Sequence, residues 1–492
     1  MKNHKIFYFL TAFLFAVLPA SHLRAQSAGS LSPEILNKIK QVENNLVGMI
    51  VMDDDSQWTI QSRMNHYNIK GVSIAVIHNY KLEWAKGYGW ADDSAKIPVT
   101  DQTLFQAASI SKSLNGVGVL KLAQENKLDL YDDINQVLTT WKFPYDSVSK
   151  NKKISTISLL SHTAGLNVHG FPGYARGEAI PTILQILNGT PPANSNPIHS
   201  MLEPGLRSEY SGGGITVSQL IVMDITHKPY AEYMYENVLK PLGMISSSYE
   251  QPNKGNPVLL ATGYKMNGDE ITGKYHIYPE QAAAGLWTNP TDLGKYIIET
   301  QLAYQGRSRK VLNQEMTKLR LTPYQNNSAA LGVFIDSTPG GKYFQHGGAN
   351  EGFRCQYYGS LTGGDGLVVM VNSDNGAIIQ EIANSISKVY HMDGLLRTKT
   401  RKTVQVESSV LQTYIGKYDF APQVFLTVTL ENGLLFVQLT GQPKFQIYPE
   451  SQNKFFLTVV DAEVEFVKNE TGQVSKAVLY QNGMVRDAPK VN

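Results

Sequence analysis

The sequence predicts an α+β fold: an antiparallel sheet flanked by helices and interrupted by an all-helical subdomain, followed by a small antiparallel β-barrel. Strand-like runs cluster at residues 71–89 and return at 332–372, while residues 125–325 read as mainly helical with long loops. Beyond residue 404 the apolar period falls to two, with Leu426/Val428/Leu430 and Leu435/Val437/Leu439 alternating about Glu431-Asn432-Gly433. The 492 residues leave room for two or three domains, and 42% hydrophobic with 17% charged residues is ordinary globular composition.

In chain order, residues 1–25 read as a secretory signal peptide. Lys2 and Lys5 precede an apolar run from Ile6 to Leu18, small residues follow, and cleavage is expected after Ala25. The run is too short to span a bilayer comfortably, and no cysteine sits nearby for lipid attachment. The expected location is therefore periplasmic or extracellular. The formal charge is +2, and losing Lys2, Lys5 and Arg24 would leave −1, so nothing points to a nucleic-acid partner. Cys355 is the only cysteine, so no disulfide forms within one chain, and its strand-like setting reads as a buried packing position. No metal-ligand spacing appears among the 11 histidines, and no cofactor is expected.

A helix is expected from about Pro33, a hairpin from Gly71–Ile77 and Lys81–Gly89, and a helix after Ser109. Ile154–Leu160 and Ile215–Thr226 have helical periodicity, and Asn289 caps another helix with Pro290 at its first position. Strands follow at 332–335, 343–346, 353–358 and 367–372, then a helix over Ala377–Tyr390. The basic, polar stretch 397–404 reads as a linker. It separates a domain of residues 26–396 from a barrel of residues 405–492.

The chemistry-bearing stretch is Leu104 to Lys112. If Ser109 opens the following helix, Lys112 lies one turn later on the same face, and the hydroxyl and amine share a proton. The helix N-terminus adds free amide groups beside the serine oxygen. This is an activated nucleophile that needs no histidine. Ser-x-x-Lys also occurs at Ser147, Ser149, Ser385 and Ser451, and Ser385-Ile386-Ser387-Lys388 repeats the same four letters. That copy falls late in a helix striped by Ile378, Ile382, Ile386 and Val389, so Ser385 and Lys388 read as surface residues.

Over roughly residues 45–395 the chain resembles the serine β-lactamase-like hydrolases, which include class C β-lactamases, low-molecular-weight penicillin-binding proteins, D-aminopeptidases and related esterases. The resemblance rests on Phe105–Lys112, Leu159–Leu166, Glu203-Pro204-Gly205 with Tyr210-Ser211, and Pro241–Met244. It rests also on Ala284–Trp287 with Asp292, and on His346-Gly347-Gly348. The tail, starting at Tyr414–Tyr418, resembles the lipocalin-like domain some members carry.

The resemblance implies Ser109 as nucleophile, Lys112 as its base and Tyr210 as the second proton carrier. A free lysine, near pKa 10.4, needs burial or a cationic neighbour for this, and tyrosine starts near 10. Gly212 replaces the asparagine of the family's Tyr-x-Asn, while Tyr235-Glu236-Asn237 and Tyr324-Gln325-Asn326 match that pattern literally but in the wrong surroundings. The missing amide argues against amide and β-lactam substrates.

His346-Gly347-Gly348 stands where the family has Lys-Thr-Gly, and the amides of Ser109 and Ala349 would form the oxyanion hole, worth roughly 3 kcal/mol per donor. A histidine there implies a weaker hold on carboxylates and more activity in mild acid. His162 reads as structural. The implied function is an exported serine hydrolase working through an acyl-enzyme on small peptide, including D-amino-acid, or ester substrates. The alternatives are a β-lactamase or DD-carboxypeptidase, or a penicillin-binding sensor that acylates once. The barrel's expected roles are ligand binding, covering the active-site mouth or assembly.

Overall fold

The computed structural model describes residues 31–52, 57–481 and 484–491. The expected signal segment and its cleavage point lie outside them. Among the described residues, no helix is long and apolar enough to cross a membrane.

The main sheet takes its strands from both ends of its region. Strands β1 (Gly71–His78), β2 (Lys81–Asp92), β3 (Ile97–Pro98), β4 (Phe334–Thr338), β5 (Gly341–Asn350), β6 (Phe353–Ser360) and β7 (Gly366–Val371) lie in the order β3-β2-β1-β7-β6-β5-β4. The junction is the antiparallel β1–β7 pair, which registers Val76 with Leu367 and Ala75 with Val368. Alternation then splits the side chains between two cores. Ile74, Val76, Leu367 and Val369 face one layer with Ile39, Val42, Ile382 and Ile386. Ala75, Ile77, Val368 and Met370 face the helical subdomain with Leu114, Ile221 and Trp287.

The first layer is made by helices α1 (Pro33–Asn44) and α6 (Ala377–Tyr390). Helix α6 has the bounds the sequence predicts, but Ser385 is not a surface residue. It is fully buried, and its hydroxyl donates to the Val42 carbonyl at 2.8 Å, because α1 covers the face that the apolar stripe alone left open. Lys388 does remain exposed. The subdomain side is built by α2 (Ser111–Gln124), α3 (Gly212–Thr226), α4 (Gln281–Ala284) and α5 (Pro290–Tyr304). Helix α2 is buried almost all round, as befits a helix with no polar stripe. Asn289 caps α5, accepting from the Asp292 amide at 2.8 Å.

Residues 397–404 are more than a tether. Lys399–Arg401 pairs in parallel with Ile50–Met52. Asn384 braces this seam, donating towards the carbonyls of Val47 and Gly48 and accepting from the Arg397 amide at 3.0 Å. Arg401 then ion-pairs with Glu450 and Glu463 of the barrel. Strands β8 (Gly416–Ala421), β9 (Val424–Glu431), β10 (Leu434–Leu439), β11 (Lys444–Pro449), β12 (Lys454–Phe456), β13 (Ala462–Lys468), β14 (Val474–Gln481) and β15 (Met484–Val491) close into one antiparallel barrel. The inward set Tyr418, Leu426, Val428, Val437 and Val464 follows the period-two pattern.

Replacing Asn384 by Ala removes the partner of the half-buried Arg397 amide and of the carbonyls around it. The expected cost is about 0.5–1.5 kcal/mol in denaturant unfolding, with the sheet and barrel intact by circular dichroism.

Candidate active site

Ser109 sits in the turn Ala108–Ile110, which is 3-10 rather than α-helical and runs directly into α2. The two-residue strand Phe105–Gln106 leads into it and pairs with Trp287–Thr288. The turn is forced: Ala108, fully buried, has φ 49°, a left-handed conformation that a non-glycine residue adopts only at a cost. The Ala107 amide donates to Leu286 O at 2.8 Å, and Leu286 N donates to Ser111 Oγ at 2.9 Å, so the turn is held from both sides.

Lys112 lies on the predicted face. Its Nζ donates to Ser109 Oγ at 2.9 Å and to the Ala283 carbonyl at 2.7 Å, and sits 5.0 Å from the centre of the Tyr210 ring. It is buried, and among the described residues no carboxylate lies in ion-pair range. Ala283 is presented by α4, itself fixed by Gln219, whose Oε1 accepts from the Ala282 amide at 2.9 Å. Asn350 ties α4 to the sheet, donating to Ala284 O at 3.1 Å and to Gln106 Oε1 at 2.9 Å. Sequence reasoning missed the Ala283 carbonyl, since a backbone contact leaves no residue-type signal.

Tyr210 precedes α3, whose N-cap is Ser211, accepting from the Gly214 amide at 2.9 Å. Its ring packs against His162 at 4.4 Å and His169 at 4.8 Å, and lies 6.2 Å from His346. The Ser211 amide donates to His162 Nδ1 at 3.2 Å, and burial together with the Lys112 charge holds that imidazole well below the ordinary histidine range. His162 thus props Tyr210 as a neutral ring. A Cβ on Gly212 would lie 3.1 Å from both the His169 carbonyl and the Phe171 ring, so the loop 167–171 takes the side of Gly212 where a side chain would stand. The literal matches Tyr235 and Tyr324 do not line the cavity that holds Ser109, which measures about 770 Å³.

The opposite wall is the edge of β5. Strand β4 covers β5 only as far as the pair Phe334–Gln345, so His346-Gly347-Gly348-Ala349 presents an edge without a β4 partner. A Cβ on Gly348 would fall 2.3 Å from the Ala107 carbonyl and 2.5 Å from Cys355 Sγ, so only glycine lets β5 come this close to the serine turn. Cys355 is buried, its Sγ donating to Ala107 O at 3.1 Å, and burial pushes its thiol up.

His346 is buried, and its Nδ1 donates to the Gly347 carbonyl at 2.6 Å, which leaves Nε2 a bare acceptor with no partner among the described residues. Burial and then the Lys112 charge hold it down to about 3, so it is neutral across mild acid. The expectation of greater activity in mild acid through this residue is corrected: desolvation beside a cation outweighs the exposed-histidine behaviour on which it rested. At the far end Arg354 pairs with Asp374 at 3.0 Å. Behind α4, Glu280 is fully buried with both carboxyl oxygens unpartnered, and burial pushes it up to about 8. No cluster among the described residues has the make-up to hold a metal ion.

An antiparallel sheet built from both ends of its region and packed on a helical subdomain is the architecture of the β-lactamase-like fold. The chain belongs to the beta-lactamase family, whose model matches residues 57–383, and members of that family are serine hydrolases. A second model, described as domain of unknown function DUF3471, matches residues 400–489. The protein flp of Staphylococcus aureus strain N315 is 24% identical over 388 residues, covering 77% of this chain and 74% of its own. Penicillin-binding protein 4* of Bacillus subtilis strain 168 is 22% identical over 420 residues, covering 82% and 90%. Among solved structures, the octameric penicillin-binding protein homologue from Pyrococcus abyssi matches with TM-score 0.58 and 19% identity over 87% of this chain and 98% of its own. The D-amino acid amidase from Ochrobactrum anthropi SV3 matches with TM-score 0.57 and 20% identity over 73% and 99%.

Gly348→Ala should cost about 1–3 kcal/mol of stability and most of any hydrolytic activity, since backbone rather than a side-chain tip must move; thermal melts and ester turnover check both. A second expectation concerns pH. With His346 and His162 held below the unfolded-state value near 6.5, the unfolded chain binds protons first as pH falls. Stability should therefore drop from about pH 6.5 towards pH 3, by at most about 1.4 kcal/mol per pH unit per histidine. His346→Gln should flatten that slope in melts taken at each pH.

Proposed function

We propose that the protein is an exported serine hydrolase that works through an acyl-enzyme on small peptide, including D-amino-acid, or ester substrates. The observation that carries this is the 2.9 Å contact between Lys112 Nζ and Ser109 Oγ on the wall of an open cavity beside the free edge of β5. Ser109 attacks the substrate carbonyl while Lys112, reacting as the free amine, takes the hydroxyl proton and becomes the ammonium. The oxyanion is received by the amides of Ser109 and Ala349. The leaving group is protonated from Lys112 by way of Tyr210. Water then enters by the same route in reverse and releases the acid.

The substrate class follows from charge. The cavity's ordinary cations among the described residues are Lys112, engaged with Ser109, and Arg354, neutralised by Asp374. His346 offers an uncharged acceptor where a carboxylate would need a donor. An uncharged peptide or ester suits a wall without a free cation; the carboxylate of a β-lactam does not.

The test uses the chain without residues 1–25. A fluorophosphonate probe should label the wild type and leave Ser109→Ala unlabelled. Turnover of p-nitrophenyl esters should fall at least 10³-fold in Ser109→Ala and in Lys112→Ala, the order expected when a nucleophile or its base is lost. A fluorescent penicillin should label poorly. Stable penicillin labelling without ester or peptide turnover would instead assign a sensor.

A further inference from the structure

The barrel is closed along its sides, with β8 and β15 pairing Lys417 to Val491 and Tyr418 to Lys490. One end is plugged. The Tyr414 ring stacks on Phe466 at 4.3 Å and meets Phe455 edge-on at 5.7 Å, and its hydroxyl donates to the Gln452 carbonyl at 2.9 Å. The other end, where β8, β10 and β14 finish, is not filled by the protein's own side chains. A cavity of about 670 Å³ lies there, distinct from the one at Ser109. That size is within the roughly 300–1,000 Å³ of small-molecule sites, whereas the interiors of small barrels are usually packed solid.

The wall is apolar, with Phe420, Leu426, Val437, Phe445, Val464 and Leu479. Among the described residues that line it, Arg486 alone is charged. Register puts it on the inner face of the barrel, and it stands exposed at the open mouth. Ala477 opposite Ala488 is buried in the barrel core, so Leu479 opposite Arg486, two residues along each strand, faces the same side. The guanidinium lies over the Phe420 ring at 4.6 Å, with no carboxylate in ion-pair range among the described residues. The amide side chains Gln442 and Gln481 stand at the same cavity. Val459, Met484 and Val485, all more than half exposed, stand on the loop and hairpin at this end. Exposed apolar side chains gathered around an apolar cavity mark a binding surface.

We propose that this barrel binds a single-chain aliphatic carboxylate, its hydrocarbon chain in the cup and its carboxylate on Arg486. The planar fork of one guanidinium, with neutral amides beside it, balances one negative charge. That matches a monoanionic carboxylate better than a dianionic phosphate. The site is independent of the chemistry at Ser109.

The full chain is titrated with a fluorescent fatty-acid analogue, which is then displaced by palmitate or by hexadecanol. The expected result is one site per chain, with palmitate displacing the analogue at least tenfold more effectively than hexadecanol. Arg486→Gln should abolish that preference while leaving hexadecanol binding, the melt and ester turnover unchanged. Ala462→Trp should fill the cup and abolish binding of both. No saturable binding by the wild type, or a carboxylate preference that survives Arg486→Gln, overturns the proposal. Retention on phosphatidylglycerol vesicles without uptake of free palmitate also overturns it, because the rim would then be a membrane contact and not the mouth of a ligand site.

Discussion

The buried ammonium-bearing side chain of Lys112 sets the terms for everything around it. A cationic group placed inside a protein must find oxygen acceptors, and here they are one hydroxyl and one carbonyl, from Ser109 and Ala283. The first comes from the turn that opens α2. The second comes from α4, about 170 residues later in the chain, which explains why so much structure converges on a four-residue helix. Gln219, Asn350 and Gln106 tie α4 to α3, β5 and the serine turn. Moving any one of these elements moves an acceptor away from Nζ. The tyrosine face completes the enclosure, and the imidazoles of His162 and His169 pack against the tyrosine.

The departures from the family pattern belong together. Gly212 has no side chain to offer, and the loop that carries His169 and Phe171 closes over the space beside it. His346 is stripped of charge by burial beside Lys112. Arg354 is neutralised by Asp374. Each of these features limits the charge that the cavity presents, and its wall is made of aromatic rings and neutral imidazole.

Much of this was legible from residue types and spacing. The strands at both ends of the sheet, the bounds of α6, the cap of α5 and the alternation in the barrel all follow from periodicity and local turn chemistry, which single sequences carry well. Ser109 and Lys112 were legible because helix geometry fixes their separation. What escaped was set by tertiary context. Ser385 sits on a face that the local pattern leaves polar, and only the docking of α1 buries it. The left-handed Ala108 is imposed by strands on either side, and alanine gives no hint of it. The neutral state of His346 depends first on its burial and then on a lysine more than 200 residues away. The seam at Lys399–Arg401 was hidden because a basic, polar run reads as linker whether or not a partner strand waits for it.

That seam has a consequence for how such proteins are recombined. The strand that completes it, Ile50–Met52, precedes every strand of the main sheet, while its partner follows all of them. A shuffling event that cuts at residue 396 and attaches a different tail would strand one half of the ladder on each parent. Cutting after Arg401 carries the ladder across whole but leaves its guanidinium facing a foreign barrel in place of Glu450 and Glu463. A tail is therefore exchanged with least disturbance where the incoming barrel supplies its own acids at that spot.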